Sequence, residues 1–445
     1  MDKIVAIIIL IFGIAIFSYA PLKYDYGYSV FCGVAYVVII LLYNLVRKKA
    51  NYFDFDSLFF FTFFFVTLYY PIFMFETDAT RYVFFLFQFD TDVIPRSSAL
   101  AVLGMAAYVF GSLLVFPKSN KQEDSNEKKS GRLVKTKKFY YIALILFILY
   151  IATGGYFELR AVYFGGVYEA NPVSKYINLF YPAFLFAGII CDFYNAKIIS
   201  PNKFRFRKIS IIAYITILVI VLGLLFAGSR TIPLQVILMI LGLYSLLYKK
   251  VNLIRFLGFI LIGLITMFSV VILRGYQQDS KTSGADIVMD LIINNRNNFL
   301  AIEQVRDNGY TYGESMLSQF VAPIPFFQNL LLSSGYKEQE LSSQKLFTFI
   351  TLGELDKFYG IGTTIIADVY IAFGVIGAIF FMSFLGYTIN KNRIKANNSI
   401  FALTAYAIFI SYSIYLARAE YFFFMRYLIW TLMIVLLATK KFRFN

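Results

Sequence analysis

Arginine is the residue type around which this sequence can do chemistry. Arg230 stands in FAGSRTIP, Arg274 in LRGYQ, Arg296 in NNRNN, Arg418 in LARAE and Arg426 in FFMRY. A guanidinium presents a planar fork of donors that matches the oxygens of phosphate and diphosphate. Gathered at one surface, these five would bind a diphosphate and stabilise negative charge developing on it. Arg426 is the most informative, because it lies inside an apolar run, where a cation needs an anionic partner. The plainer reading, strongest for Arg230 and Arg418, is of interfacial arginines that snorkel or pair locally. The carboxylates available as partners, or as a general base for a hydroxyl, are Glu303, Asp307, Glu314, Glu354, Asp356, Asp368 and Glu420. Glu420 lies two residues from Arg418 and six from Arg426, and Glu303 is seven from Arg296, on the same helical face. Arg306-Asp307 precedes Tyr310 and Tyr312, which offer an apolar face and a hydroxyl together and would suit a sugar. That signal is weak in a chain with 35 tyrosines.

Other chemistries are excluded. There is no histidine, hence no imidazole base, no Ser-His-Asp triad and no histidine-ligated metal. The two cysteines, Cys32 and Cys191, both lie in apolar runs and read as small core residues. What remains is carboxylate, arginine, lysine, hydroxyl and backbone chemistry, with neither a metal nor a cofactor expected.

The elements that must position these residues are set by composition. Of 445 residues, 59% are hydrophobic and only 15% charged, against roughly 25% charged in a soluble domain. The solvent of such a chain is largely lipid. Twelve apolar runs are long enough to be read as spans, at 4–20, 28–46, 58–75, 98–116, 139–155, 176–191, 209–227, 231–248, 255–273, 364–387, 399–417 and 421–438. Only Gly228, Ser229 and Arg230 separate the seventh from the eighth, so these two form a tight hairpin. With both termini in the cytoplasm, 26 of the 41 lysines and arginines fall on the cytoplasmic side, and 19 of the 26 acidic residues on the other. The net charge of +15 is then a topology signal, and nucleic acid is not an expected partner.

The expected fold is an all-α polytopic integral membrane protein with about twelve transmembrane helices. Residues 1–116 hold the first four spans, 117–138 a flexible basic cytoplasmic loop, 139–273 spans five to nine, and 364–445 the last three and a short cytoplasmic tail. The segment 274–363 is the one long extramembrane piece and is placed on the outer face. It contains an amphipathic helical stretch at 285–306, the turn-rich Gly309–Gly313, a Pro323–Pro325 break and a second amphipathic stretch at 336–350. It reads as a folded lid; a plain connector is the alternative.

These motifs, in this order, resemble the Wzy-type polymerases of O-antigen and enterobacterial common antigen, of the O-antigen polymerase and ligase superfamily. FAGSRTIP is similar to their glycine–Ser/Thr–Arg element at the end of a span, and LRGYQ to their basic–Tyr exit into the loop. NNRNNFLAIEQVRDNGYTYGESMLSQFVAPIPFF resembles their loop segment, and LARAEYFFFMRY their late arginine pair. The similarity covers roughly 205–440. Two departures stand out: Arg274 is followed by Gly284 at ten residues but Arg296 by Gly309 at thirteen, and the histidine used by the ligases is missing. The resemblance implies a GT-C-like membrane enzyme of the bacterial inner membrane, an inverting glycosyltransferase without a cofactor. It would join oligosaccharide repeat units on undecaprenyl diphosphate into polysaccharide at the periplasmic face. It further implies Arg296, Glu303, Glu420 and Arg426 as catalytic residues, and Arg230, Arg274, Arg306, Arg418, Tyr310 and Tyr312 as substrate or diphosphate ligands. Implied partners are the lipid-linked glycans, membrane lipid, a Wzz-type chain-length regulator and a flippase. A ligase-like or other lipid-linked glycosyltransferase, or a lipid-linked oligosaccharide flippase, is the alternative. No internal repeat of the transporter kind is visible.

Overall fold

A computed structural model describes residues 2–82, 85–115, 133–164, 166, 168–201, 204, 209–273, 288–355 and 360–439. Among the described residues there are helices and no strands. Helices of ten or more residues are α1 (Asp2–Ser18), α2 (Tyr26–Val46), α3 (Phe55–Thr67), α4 (Ile94–Leu114), α5 (Lys137–Ala152), α6 (Gly155–Phe164), α7 (Val173–Ile199) and α8 (Ile211–Phe226). They continue with α9 (Thr231–Leu247), α10 (Leu253–Leu273), α11 (Asn295–Asn308), α12 (Ser343–Leu352), α13 (Ile365–Lys395), α14 (Ile400–Tyr412) and α15 (Met425–Thr439). Each of the twelve apolar runs contains a helix. Four long apolar helices, those of α2, α4, α7 and α13, have the length and composition to cross a bilayer alone, and the α5–α6 pair, bent by 66°, does so jointly. The other apolar helices have 10–17 residues in their described parts.

Local chemistry explains where the helices depart from the runs. The helix expected through 58–75 stops at Thr67. A short helix, Tyr69–Phe73, then restarts and places Pro71 in a first turn, where its missing N–H costs nothing. The run 399–417 leaves the α-helical form at Tyr412 and ends in a 3₁₀ turn, Leu416–Arg418. The amphipathic stretch 285–306 is a helix from Asn295 to Asn308, and residues 285–287 lie outside the described set.

Two groups of helices carry the molecule. In one, α4 is buried among α1, α2, α11 and α13. Its contact with α13 is a close backbone approach: a Cβ on Gly111 would lie 1.8 Å from the Ser383 carbonyl oxygen, and one on Gly386 would lie 2.1 Å from that of Tyr108. Only glycine fits there, as in the small-residue interfaces of membrane helices. In the other group α7, α9, α14 and α15 pack together, with α5 and α8 alongside, and α13 against α14 joins the two. The ends of α9, α13, α14 and α15 that carry Arg230, Asp368, Arg418 and Arg426 lie toward the segment 288–355, and are called the loop end below.

The opposite end is tied by a buried ionic knot. Arg47 pairs with Asp56 and, at 3.4 Å, with Asp54; Lys49 and Arg393 each reach Asp54 at 3.0 Å. Asp56 also accepts from Tyr43 at 2.7 Å, Tyr108 at 2.5 Å and Asn390 at 3.2 Å. One carboxylate pair thus fastens α2, α3, α4 and α13. Both charges are hydrogen-bonded as well as paired, which a buried carboxylate requires.

Candidate active site at the loop end

Three of the sequence-marked arginines come from three different elements of the second helix group. Arg230 immediately precedes α9, after a turn in which Gly228 takes φ +87°. Arg418 ends the 3₁₀ turn after α14, and Arg426 is the second residue of α15. Tyr415 links the first two. Its buried ring lies 5.8 Å from the Arg418 guanidinium, and its hydroxyl lies beside Thr231 and within electrostatic reach of Arg230. Arg426 lies close to the hydroxyls of Tyr412 and Tyr427. Its Nε is buried without a hydrogen-bond partner, and no carboxylate pairs with it among the described residues. The Tyr181 and Thr431 hydroxyls, on α7 and α15, are also buried without hydrogen bonds, and the buried Gln235 amide on α9 faces the Tyr412 hydroxyl. Tyr415, Tyr412, Gln235, Tyr181 and Thr431 were not singled out by sequence, because polar residues inside apolar runs carry no signal until the helices are packed.

Glu420, the carboxylate nearest these arginines in the chain, turns elsewhere. It accepts the Ser342 hydroxyl at 2.6 Å and faces the Gln344 amide at 3.5 Å, so it sits against the N-terminus of α12. A carboxylate is favoured at that position by the free amides and the helix dipole. Asp368, in the first turn of α13, accepts the Tyr421 amide at 2.8 Å and lies within electrostatic reach of Glu420. Both side chains are buried, and neither has an ion pair among the described residues. Burial raises the Glu420 pKa above the usual carboxylate range.

Arg296 lies in a separate place. It is 2% exposed. Nη1 donates to the Thr351 hydroxyl at 2.6 Å and Nη2 to the Gln88 carbonyl at 3.2 Å, while the Phe87 ring centroid is 5.8 Å away. Its Nε has no partner. Burial lowers its pKa to about 10, against a smaller opposing effect of Glu303. The flanking asparagines explain the burial: Asn295 donates to the Phe65 carbonyl at 2.7 Å, Asn298 to Val66 at 3.1 Å and Asn297 to Ile361 at 3.2 Å. NNRNN thus closes the free carbonyls at the end of α3 and holds the strap before α13.

Glu303 accepts the Asp90 amide, and burial raises its pKa. Arg306 pairs with Asp90 and, at 2.8 Å, with Asp307. Tyr310 and Tyr312 meet edge to face at 6.3 Å, both exposed. Arg274 lies outside the described residues. The structure therefore brings Arg230 and Arg418 around one tyrosine, with Arg426 on the adjoining helix. It sets Glu420 with Asp368, seats Arg296 beneath the loop, and places Glu303 and Arg306 on α11 with Tyr310 and Tyr312 in the turn that follows it.

The family model for the O-antigen polysaccharide polymerase Wzy matches residues 4–442. The chain belongs to this family. Membership extends the resemblance from roughly 205–440 to nearly the whole length of the sequence, including the first 200 residues. A Wzy polymerase acts by glycosyl-transfer-type polymerisation on lipid-linked oligosaccharides and is a multi-pass membrane protein, in keeping with the apolar helices. No curated protein matches the chain. No solved structure matches it.

Proposed function

We propose that this Wzy polymerase is an inverting glycosyltransferase that joins undecaprenyl-diphosphate-linked repeat units at the periplasmic face of the inner membrane. On this reading both termini are cytoplasmic, the chain crosses the membrane about twelve times, and the loop end faces the periplasm. The growing glycan on its lipid diphosphate is the donor, and a hydroxyl of the incoming unit is the acceptor. That oxygen attacks the anomeric carbon as the bond from this carbon to the diphosphate oxygen breaks. Negative charge then develops on the diphosphate, where Arg426, Arg418 and Arg230 hold it. The hydroxyl proton passes to a carboxylate, for which Glu420, backed by Asp368, is the candidate once α12 lifts from it. Arg296 and Glu303 act by holding the loop, not by touching the sugar. Arg274 completes the set of diphosphate ligands at the exit toward the loop.

The observation that carries this reading is Arg426, a cation in an apolar helix with an unpartnered Nε and no carboxylate paired to it among the described residues. Such a group calls for an anion from outside the chain. The test is the purified protein in bilayers with lipid-linked repeat units. Undecaprenyl diphosphate should be released once per linkage formed, and the new linkage should have the opposite anomeric configuration to the donor. Retained configuration would overturn the mechanism, and translocation without bond formation would favour a flippase.

A further inference from the structure

A polar cavity opens at the loop end in the first helix group, apart from the arginines of α9, α14 and α15. It has a volume of about 230 Å³, and its polar lining is Asp92, Arg96, Arg306, Tyr310 and Tyr370. This is below the roughly 300–1,000 Å³ of drug-sized sites and suits one sugar ring. Arg96, in the first turn of α4, stacks 5.1 Å from the Phe17 ring centroid and lies beside the Tyr370 hydroxyl. Its Nε is buried without a hydrogen bond, and no carboxylate pairs with it among the described residues. Asp92, one turn earlier, accepts the Tyr24 amide at 2.9 Å and adds a hydroxyl acceptor to the wall.

Tyr310 is held in place by the backbone. α13 breaks at Gly374, with φ +63°, and a Cβ there would lie 2.7 Å from the Tyr310 ring and hydroxyl. The break frees the Ile371 carbonyl from its helical partner, and the Thr311 amide takes it at 2.9 Å. The Gly309–Gly313 turn is thus docked on a kink that only glycine can make.

We propose that this cavity is a second saccharide site, taking one sugar residue of the glycan with its ring against Tyr310 and its hydroxyls on Arg96 and Asp92. An aromatic face, a guanidinium with no carboxylate partner among the described residues and a carboxylate acceptor around a space of one ring are the recognition chemistry of a sugar, not of an acyl chain. The inference rests on the polymerase reading for its ligand. It assigns Arg96, Asp92 and Tyr370 to substrate and gives Tyr310 a role away from the diphosphate.

The test uses lipid-free oligosaccharide, released by mild acid from the organism's own polymer, titrated into the full-length protein in nanodiscs. It should bind the wild type. Affinity should hold within about twofold in Arg426→Ala and fall about tenfold or more in both Arg96→Gln and Tyr310→Leu, the loss of one charge-assisted contact or one stacking face. Unchanged thermal melting of either variant suffices to read the result. Undiminished binding by both variants, no binding by the wild type, or displacement by inorganic diphosphate alone would overturn the proposal. Failure of Arg426 variants to affect polymerisation would instead strike the diphosphate site and leave this result standing.

Discussion

At the residue scale, the sequence singled out the arginines as the unusual groups but could not say which way each points. Arg426 stands out in the sequence because it lies inside an apolar run. Arg296 was legible as unusual, yet its buried contacts with Thr351 and Gln88 depend on loop residues far away in sequence. The pairing considered between Arg426 and Glu420 is absent among the described residues, because the Ser342 hydroxyl and the amides of α12 take that carboxylate instead. This has a consequence for pH. Burial raises the Glu420 pKa in the fold above its value in the unfolded chain. The stability linked to this group is therefore full at pH below the ordinary carboxylate range and is lost as pH rises through the raised value. Glu420→Gln should flatten that part of the dependence of melting temperature on pH. An unchanged slope in detergent-solubilised variant protein would show that Glu420 does not cause it.

At the scale of elements, hydropathy located helices but not their breaks. Three breaks shape the loop end: the stop at Thr67, the kink at Gly374 and the 3₁₀ turn at Leu416–Arg418. The first two free backbone carbonyls that the loop then uses and lie in uncharged segments; the third lies in LARAE, whose charges mark the end of the run but not the change of helix type. Gly374→Ala places a side chain where φ is positive and Tyr310 already stands. It should cost about 1–3 kcal/mol from backbone strain alone, seen as a lower melting temperature with looser protection of 309–313 in hydrogen exchange. Wild-type melting would contradict the account of the kink. The ionic knot at the other end is a second case of distant residues meeting. Asp56→Ala leaves Arg47 buried without one of its carboxylates and should destabilise by about 3–5 kcal/mol, measured by thermal unfolding at equal expression.

At the scale of the whole molecule, the all-helical, membrane-type architecture followed from composition, and the family from motif order. The division into two helix groups did not, since it depends on which apolar faces meet. The proposed topology predicts that alkaline phosphatase fused after Gly309 is active and after Lys128 inactive, following the distribution of basic residues; the reverse pattern would put the arginines in the wrong compartment. What the assembled molecule achieves is to bring Arg230, Arg418 and Arg426 from three elements to one end, where a lipid diphosphate would meet them. The most direct test is the glycan ladder in cells carrying Arg426 variants at wild-type membrane level. Arg426→Lys keeps the charge but loses the fork, and should lose most polymerisation; Arg426→Ala should slow it by about 10²–10³-fold and leave single-repeat glycolipid. A full-length ladder from Arg426→Ala would contradict the account.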